Sequence, residues 1–110
     1  MNFDQVAALG ETGTFVYDFS QYANSGTVYN AMPRTGNGKR GGAYDVTHNG
    51  EYISVPDSTL FTLSSNYTVS AWINPDDLIN RTKCIMGTYN STNGFMFCLN
   101  NDSINGLMFR

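Results

Sequence analysis

Charge is scarce in this chain. Only 14% of its 110 residues are Asp, Glu, Lys or Arg, against about 25% in an average globular protein. Lys and Arg number 6 against 9 acidic residues, for a net charge of −3. That balance argues against a nucleic-acid partner, whose phosphates call for a basic face. The few cations that cluster, Arg34, Lys39 and Arg40, fall in a Gly-rich turn and read as a solvated loop. Long apolar runs are missing as well. No stretch approaches the about 20 residues a membrane-crossing helix needs, so membrane insertion is not expected. The opening MNFDQVAALGETG has neither a basic leader nor an apolar core, so no signal peptide is expected in it. Histidine is limited to His48, in the turn THNG, where an exposed polar role is the expected one. Without a second histidine or further cysteines, a His/Cys metal cluster has too few ligands.

What remains is rich in turns and rings. Gly and turn dipeptides recur every eight to twelve residues, the punctuation of a sandwich or barrel. Between them the pattern predicts strands at Thr14–Asp18, Thr27–Tyr29, Gly42–Val46, Tyr52–Val55, Thr68–Asn74, Lys83–Tyr89, Gly94–Leu99 and Gly106–Phe109. In the fifth, Val69, Ala71 and Ile73 alternate with Thr68, Ser70 and Trp72, a period of two that suits a pleated sheet. Pro56 and Pro75 stop the strands before them, because proline cannot donate to a ladder. A short helical turn has room at Ser58–Leu63 or Asp76–Ile79, but no 3.6-residue apolar stripe persists. The expectation is one all-β domain over residues 1–110, with 1–13 as an irregular lead-in.

The two cysteines face each other if CIMGTY pairs with GFMFC about a loop centred on Ser91. Facing Cα atoms in an antiparallel pair lie about 4.5–5.5 Å apart, within disulfide reach. The competing reading is two buried free thiols acting as small hydrophobes, and the lack of a signal peptide favours it.

Catalysis finds little support. A Ser or Cys nucleophile needs a base, usually His with an orienting carboxylate, and His48 sits in a turn. The acids Asp18, Glu51, Asp57, Asp76, Asp77 and Asp102 lie mostly at strand ends or in turns, not paired across a cleft as glycoside hydrolysis requires. Ca2+ has two candidate clusters of hard oxygen donors, Asp18 with Asn24 and Asp76 and Asp77 with Asn80. More often such residues cap turns through their own side chains, and that is the expected role of each cluster. Aromatic faces pack well against the C–H surfaces of sugars. Trp72, Tyr52, Tyr67, Phe95 and Phe97 could serve so, yet strand aromatics more often fill the space between sheets, and Trp72 is expected in the core. Tyr22, Tyr29, Tyr89 and the adjoining Asn90 lie nearer loops and are the candidate ligand-binding residues. Asn-x-Ser/Thr sequons begin at Asn66, Asn80, Asn90 and Asn101, and matter only in a glycosylating compartment.

Several segments together resemble the laminin-G-like branch of the concanavalin A-like jelly-roll superfamily. TFVYDFSQYANSGTVYNAM is similar to the family's opening through Tyr17, Asp18, Ser20, Asn24, Gly26 and Thr27. GKRGGAYDVTHNGEYISVPDS, LFTLSSNYTVSAWINPDD, KCIMG and GFMFCLNN follow in family order. The resemblance implies an antiparallel jelly-roll sandwich. It also implies a non-catalytic recognition or adhesion domain that binds glycans or a protein surface. The glucanases of the wider superfamily carry an ExDxE-like strand that is not matched here, so a glycosidase-related remnant is the distant alternative. Thr47 stands where the family pattern has Asp, which weakens a family-type metal site. The family's later strands have no counterpart, so the sandwich is expected to be incomplete at the C-terminus. It would then be a piece of a longer chain, or a subunit completed by neighbours. The nearer alternative is therefore a structural module of a virus particle or cell-surface assembly. Low charge and uncharged polar surface favour an extracellular, cell-surface or virion setting.

Overall fold

The computed structural model describes residues 1, 3, 4, 6, 11–34, 36–56, 66, 68–75, 82–89, 94–100 and 106–109. They form an all-β, antiparallel fold, with no helix among the described residues. The strands are β1 (Phe15–Val16), β2 (Gly26–Tyr29), β3 (Met32–Arg34), β4 (Ala43–Asp45), β5 (Tyr52–Ser54), β6 (Lys83–Tyr89), β7 (Gly94–Asn100) and β8 (Gly106–Phe109). The chain divides into two compact units, Met1–Thr59 and Leu60–Arg110.

In the first unit β2 lies between β1 and β5, and β3 pairs with β4. Alternation in β2 buries Gly26 and Val28 and exposes Thr27 and Tyr29, as the pleat demands. Val16, Val28 and Ala31 form the buried core, with Tyr44 of β4 and Ile53 of β5 packed against it. Glycine at 26 has a packing cause: a Cβ there would lie 2.8 Å from Ile53 Cγ2. The chain leaves β2 through a tight turn in which Ala31 N–H donates to Tyr29 O at 2.7 Å. Asn30 takes φ 55° there, a region that Asn tolerates better than most residues. The N-terminal segment is tied to the same unit. Gly42 N–H donates to Asp4 Oδ1 at 2.9 Å, and Phe3 meets Tyr44 edge to face at 5.7 Å.

The second unit is a meander in the order β6-β7-β8. Tyr89 opposes Gly94 at the hairpin end, and that register alone would set Cys84 against Leu99. An irregularity between Cys84 and Met86 shifts it by one residue, so that Cys84 opposes Cys98. The two are joined as a disulfide. The favoured reading of two free thiols is thereby corrected: directly facing positions on neighbouring strands bring the sulfurs within bonding reach.

Two further expectations change. Residues 68–75 form no strand, and Trp72, expected in the core, is 77% exposed. Alternation alone makes a strand only where a partner ladder and a buried face exist. Conversely, β3 lies outside the expected strands, and Pro33 sits at its centre. It pairs with β4, and among the described residues no other strand joins that sheet, an edge setting that tolerates proline. The proposed helical turns at Ser58–Leu63 and Asp76–Ile79 lie outside the described residues.

Candidate functional site

The outward face of the β1-β2-β5 sheet gathers rings and hydroxyls. Thr27 opposes Phe15 on one side and Ser54 on the other, so these three form one row. Directly opposed residues share a face, and the next residue on that face of β2 is Tyr29, opposite Tyr52. The two rings stack with centroids 4.7 Å apart and an interplanar angle of 15°. They remain 44% and 51% exposed. Such cross-strand aromatic pairs contribute about 0.5–1.5 kcal/mol beyond area burial. Past β1 the alternation continues, with Val16 and Asp18 buried and Tyr17 and Phe19 exposed. Phe15 meets Tyr17 at 6.4 Å, and Tyr17 meets Phe19 at 5.1 Å. The result is an aromatic surface interleaved with hydroxyls, and none of these face residues is charged.

Beside it, residues 18–25 form a loop built around Asp18. Ser20 N–H donates to Oδ1 at 3.0 Å, while Ser20 Oγ–H and Asn24 N–H both donate to Oδ2 at 2.8 Å. Asp18 N–H in turn donates to Ser25 Oγ at 3.1 Å. The Ser20 backbone N–H, then its hydroxyl and the Asn24 N–H, hold the Asp18 carboxyl below its ordinary range, against an opposing effect of burial. Asp18 and Asn24 are thus brought together, as the calcium reading requires, but Asn24 contributes an N–H donor. Both carboxylate oxygens accept from loop donors, the arrangement of a turn cap, and a cation at this carboxylate would compete with those donors. Tyr22 stands on this loop, exposed, with its N–H directed to Ser20 Oγ at 3.3 Å.

The other candidates are placed less fully. Tyr89 ends β6, and its side chain, together with Asn90, Asp76 and Asp77, lies outside what is described. His48 occupies the expected exposed turn, where its N–H donates to Glu51 Oε2 at 2.7 Å and its Nδ1 lies 3.1 Å from Oε1. Among the described residues no group of three His, Cys, Asp or Glu side chains converges as a metal set. Of the named ligand-binding candidates, Tyr29 is therefore placed on the aromatic face and Tyr22 on the loop beside it. Tyr52, assigned by preference to the core, belongs with Tyr29, and Tyr17 and Phe19 were not singled out. The signal was present: Phe-Val-Tyr-Asp-Phe alternates rings against residues that turn inward.

A family model described as the Concanavalin A-like lectin/glucanases superfamily, of laminin-G type, matches residues 47–110. No curated protein and no solved structure matches the chain. The matched stretch includes Tyr52 but begins after Tyr17, Phe19 and Tyr29, so the aromatic face straddles its boundary. With more than half of its length matched, the chain belongs to the laminin-G-type family of the Concanavalin A-like lectin/glucanases superfamily.

Proposed function

We propose that this chain is a non-catalytic recognition domain that binds an uncharged glycan on the outward face of β1-β2-β5. Laminin-G-like domains commonly act as binding modules, which supports the class. The observation that carries the ligand chemistry is the exposed Tyr29–Tyr52 stack. Aromatic faces accept the polarised C–H groups of a pyranose, and phenolic hydroxyls reach its polar rim. Thr27 and Ser54 add neutral hydrogen-bonding groups beside the rings. Among the described residues this face carries no cation for an acidic sugar, so neutral chains are the fitting class. The Cys84–Cys98 bond supports an oxidising setting, outside the cell or on its surface.

A second reading draws on the other unit. Leu107 is 64% exposed and opposes Leu99; Met86 is exposed and opposes Phe97 on the same face. An apolar sheet face of this kind suits a structural module of a particle or cell-surface assembly.

The test is binding of the chain to an array of neutral and acidic glycans, followed by titration of any hit. Tyr29→Ala and Tyr52→Ala are each expected to weaken a neutral ligand at least about tenfold, the equivalent of about 1.4 kcal/mol. Binding is expected to survive EDTA, since Asp18 is capped by donors. Absence of binding across the array, or tyrosine variants that bind as well as the parent, would refute the proposal. Recovery solely within a large particle would move the weight to the assembly reading.

A further inference from the structure

We propose that Asn66 is a site of N-linked glycosylation. Asn66-Tyr67-Thr68 is an acceptor sequence with a residue other than proline in the middle. Both Asn66 and Thr68 are exposed, and residues 68–75 carry no strand. A transferase cleft must reach the acceptor amide and the hydroxyl two residues on, and both Asn66 and Thr68 lie exposed and outside any strand. The second observation is the Cys84–Cys98 disulfide, because chains with structural disulfides mature in oxidising compartments, where lipid-linked oligosaccharide donors are used. The same segment exposes Trp72 and Ile73, so a bulky hydrated glycan nearby would shield an apolar stretch from self-association.

In the reaction, Asn66 Nδ2 forms a bond to the anomeric carbon of a lipid-pyrophosphate-linked oligosaccharide. The bond from that carbon to the pyrophosphate oxygen breaks, the lipid pyrophosphate leaves, and Nδ2 gives up one proton. The amide nitrogen remains in an amide, and no redox partner is required.

The experiment is site mapping by glycopeptide mass spectrometry on the full chain, secreted from eukaryotic cells behind a cleavable leader. The expected result is glycan on the Asn66 peptide, removed by an amidase that leaves a carboxylate in place of the carboxamide. Asn66→Gln and Thr68→Ala are each expected to abolish it, while Thr68→Ser retains it. An unmodified Asn66 in secreted, disulfide-bonded protein would overturn the proposal. The mapping of the parent chain decides the question even if a variant fails to fold.

Discussion

The two units hold their strands together by different means. In Met1–Thr59 the strands are two to four residues long, too short for ladders alone to define them. Their positions are set by turn chemistry, namely the Asp18 cap, the Asn30 turn and the Asp4–Gly42 tie, around a small core of Val16, Val28 and Ala31. In Leu60–Arg110, β6 and β7 each run for seven residues and are cross-linked at Cys84–Cys98. Short strands therefore depend on side-chain hydrogen bonds that close their loops. Long ones can instead be pinned by a covalent bond within the ladder. The difference predicts that chemical insults will be felt by one unit at a time.

The largest such effect is expected from reduction, or from the paired substitution Cys84→Ala with Cys98→Ala. A cross-link closing a loop of about 15 residues stabilises by about 3 kcal/mol in the chain-entropy account. Hydrogen exchange followed by mass spectrometry should show faster exchange across β6, β7 and β8, with β1, β2 and β5 unchanged. Equal loss in both units would break the comparison.

The reciprocal perturbation is Gly26→Ala. The added methyl meets Ile53 Cγ2 at 2.8 Å and Ser54 O at 3.4 Å, and forcing it in costs about 1–3 kcal/mol. Exchange should now accelerate in β1, β2 and β5 while β6–β8 keep their protection. Denaturant titration should show a lower midpoint for the first unit. An unaltered midpoint would mean that β2 and β5 part easily, and that the core is looser than its contacts indicate.

Local pattern made most of this legible. The hairpin strands Lys83–Tyr89 and Gly106–Phe109 match the expected bounds, because alternation, glycine and turn dipeptides all agree there. Trp72 was misplaced because alternation reports a preference for pleated surface without saying whether a partner strand or a covering face exists. The disulfide was underrated because redox setting was weighed above the geometry of facing positions. The Tyr29–Tyr52 stack could not be read from the chain, since 23 residues of separation hide a register that only the folded sheet reveals. Even so, each tyrosine adjoins an apolar residue that turns toward the core, Val28 and Ile53. That adjacency marks both tyrosines as outward-facing once the strands are accepted.

A smaller effect is expected at that stack. A double-mutant cycle on Tyr29→Ala and Tyr52→Ala should return a coupling of about 0.5–1.5 kcal/mol in unfolding free energy. Zero coupling would mean that the rings do not stack in solution, and would remove the physical basis of the glycan platform.

The subtlest test is of pH, and it bears on the claim that turn chemistry holds the first unit. Asp18 is held below its ordinary range chiefly by the Ser20 N–H, with the Ser20 hydroxyl and Asn24 N–H reinforcing it. A carboxyl whose folded pKa is depressed binds its proton less readily in the folded chain than in the unfolded one. Its contribution is therefore fully present above the unfolded value, about 3.9, and is lost as pH falls through the lower folded value. Asp18→Asn offers one acceptor oxygen and turns an amide toward donors that the carboxylate accepted from. The parent chain should thus exceed the variant in stability by a constant margin from about pH 5 to 7. The margin should narrow below about pH 4, where the carboxyl in the unfolded parent takes up its proton while the folded one still resists it. Exchange of the Asn24 amide should follow the same curve, because its partner is the oxygen being titrated. A margin that stays level down to about pH 2 would show that the loop is held by Ser25 and the backbone turns alone.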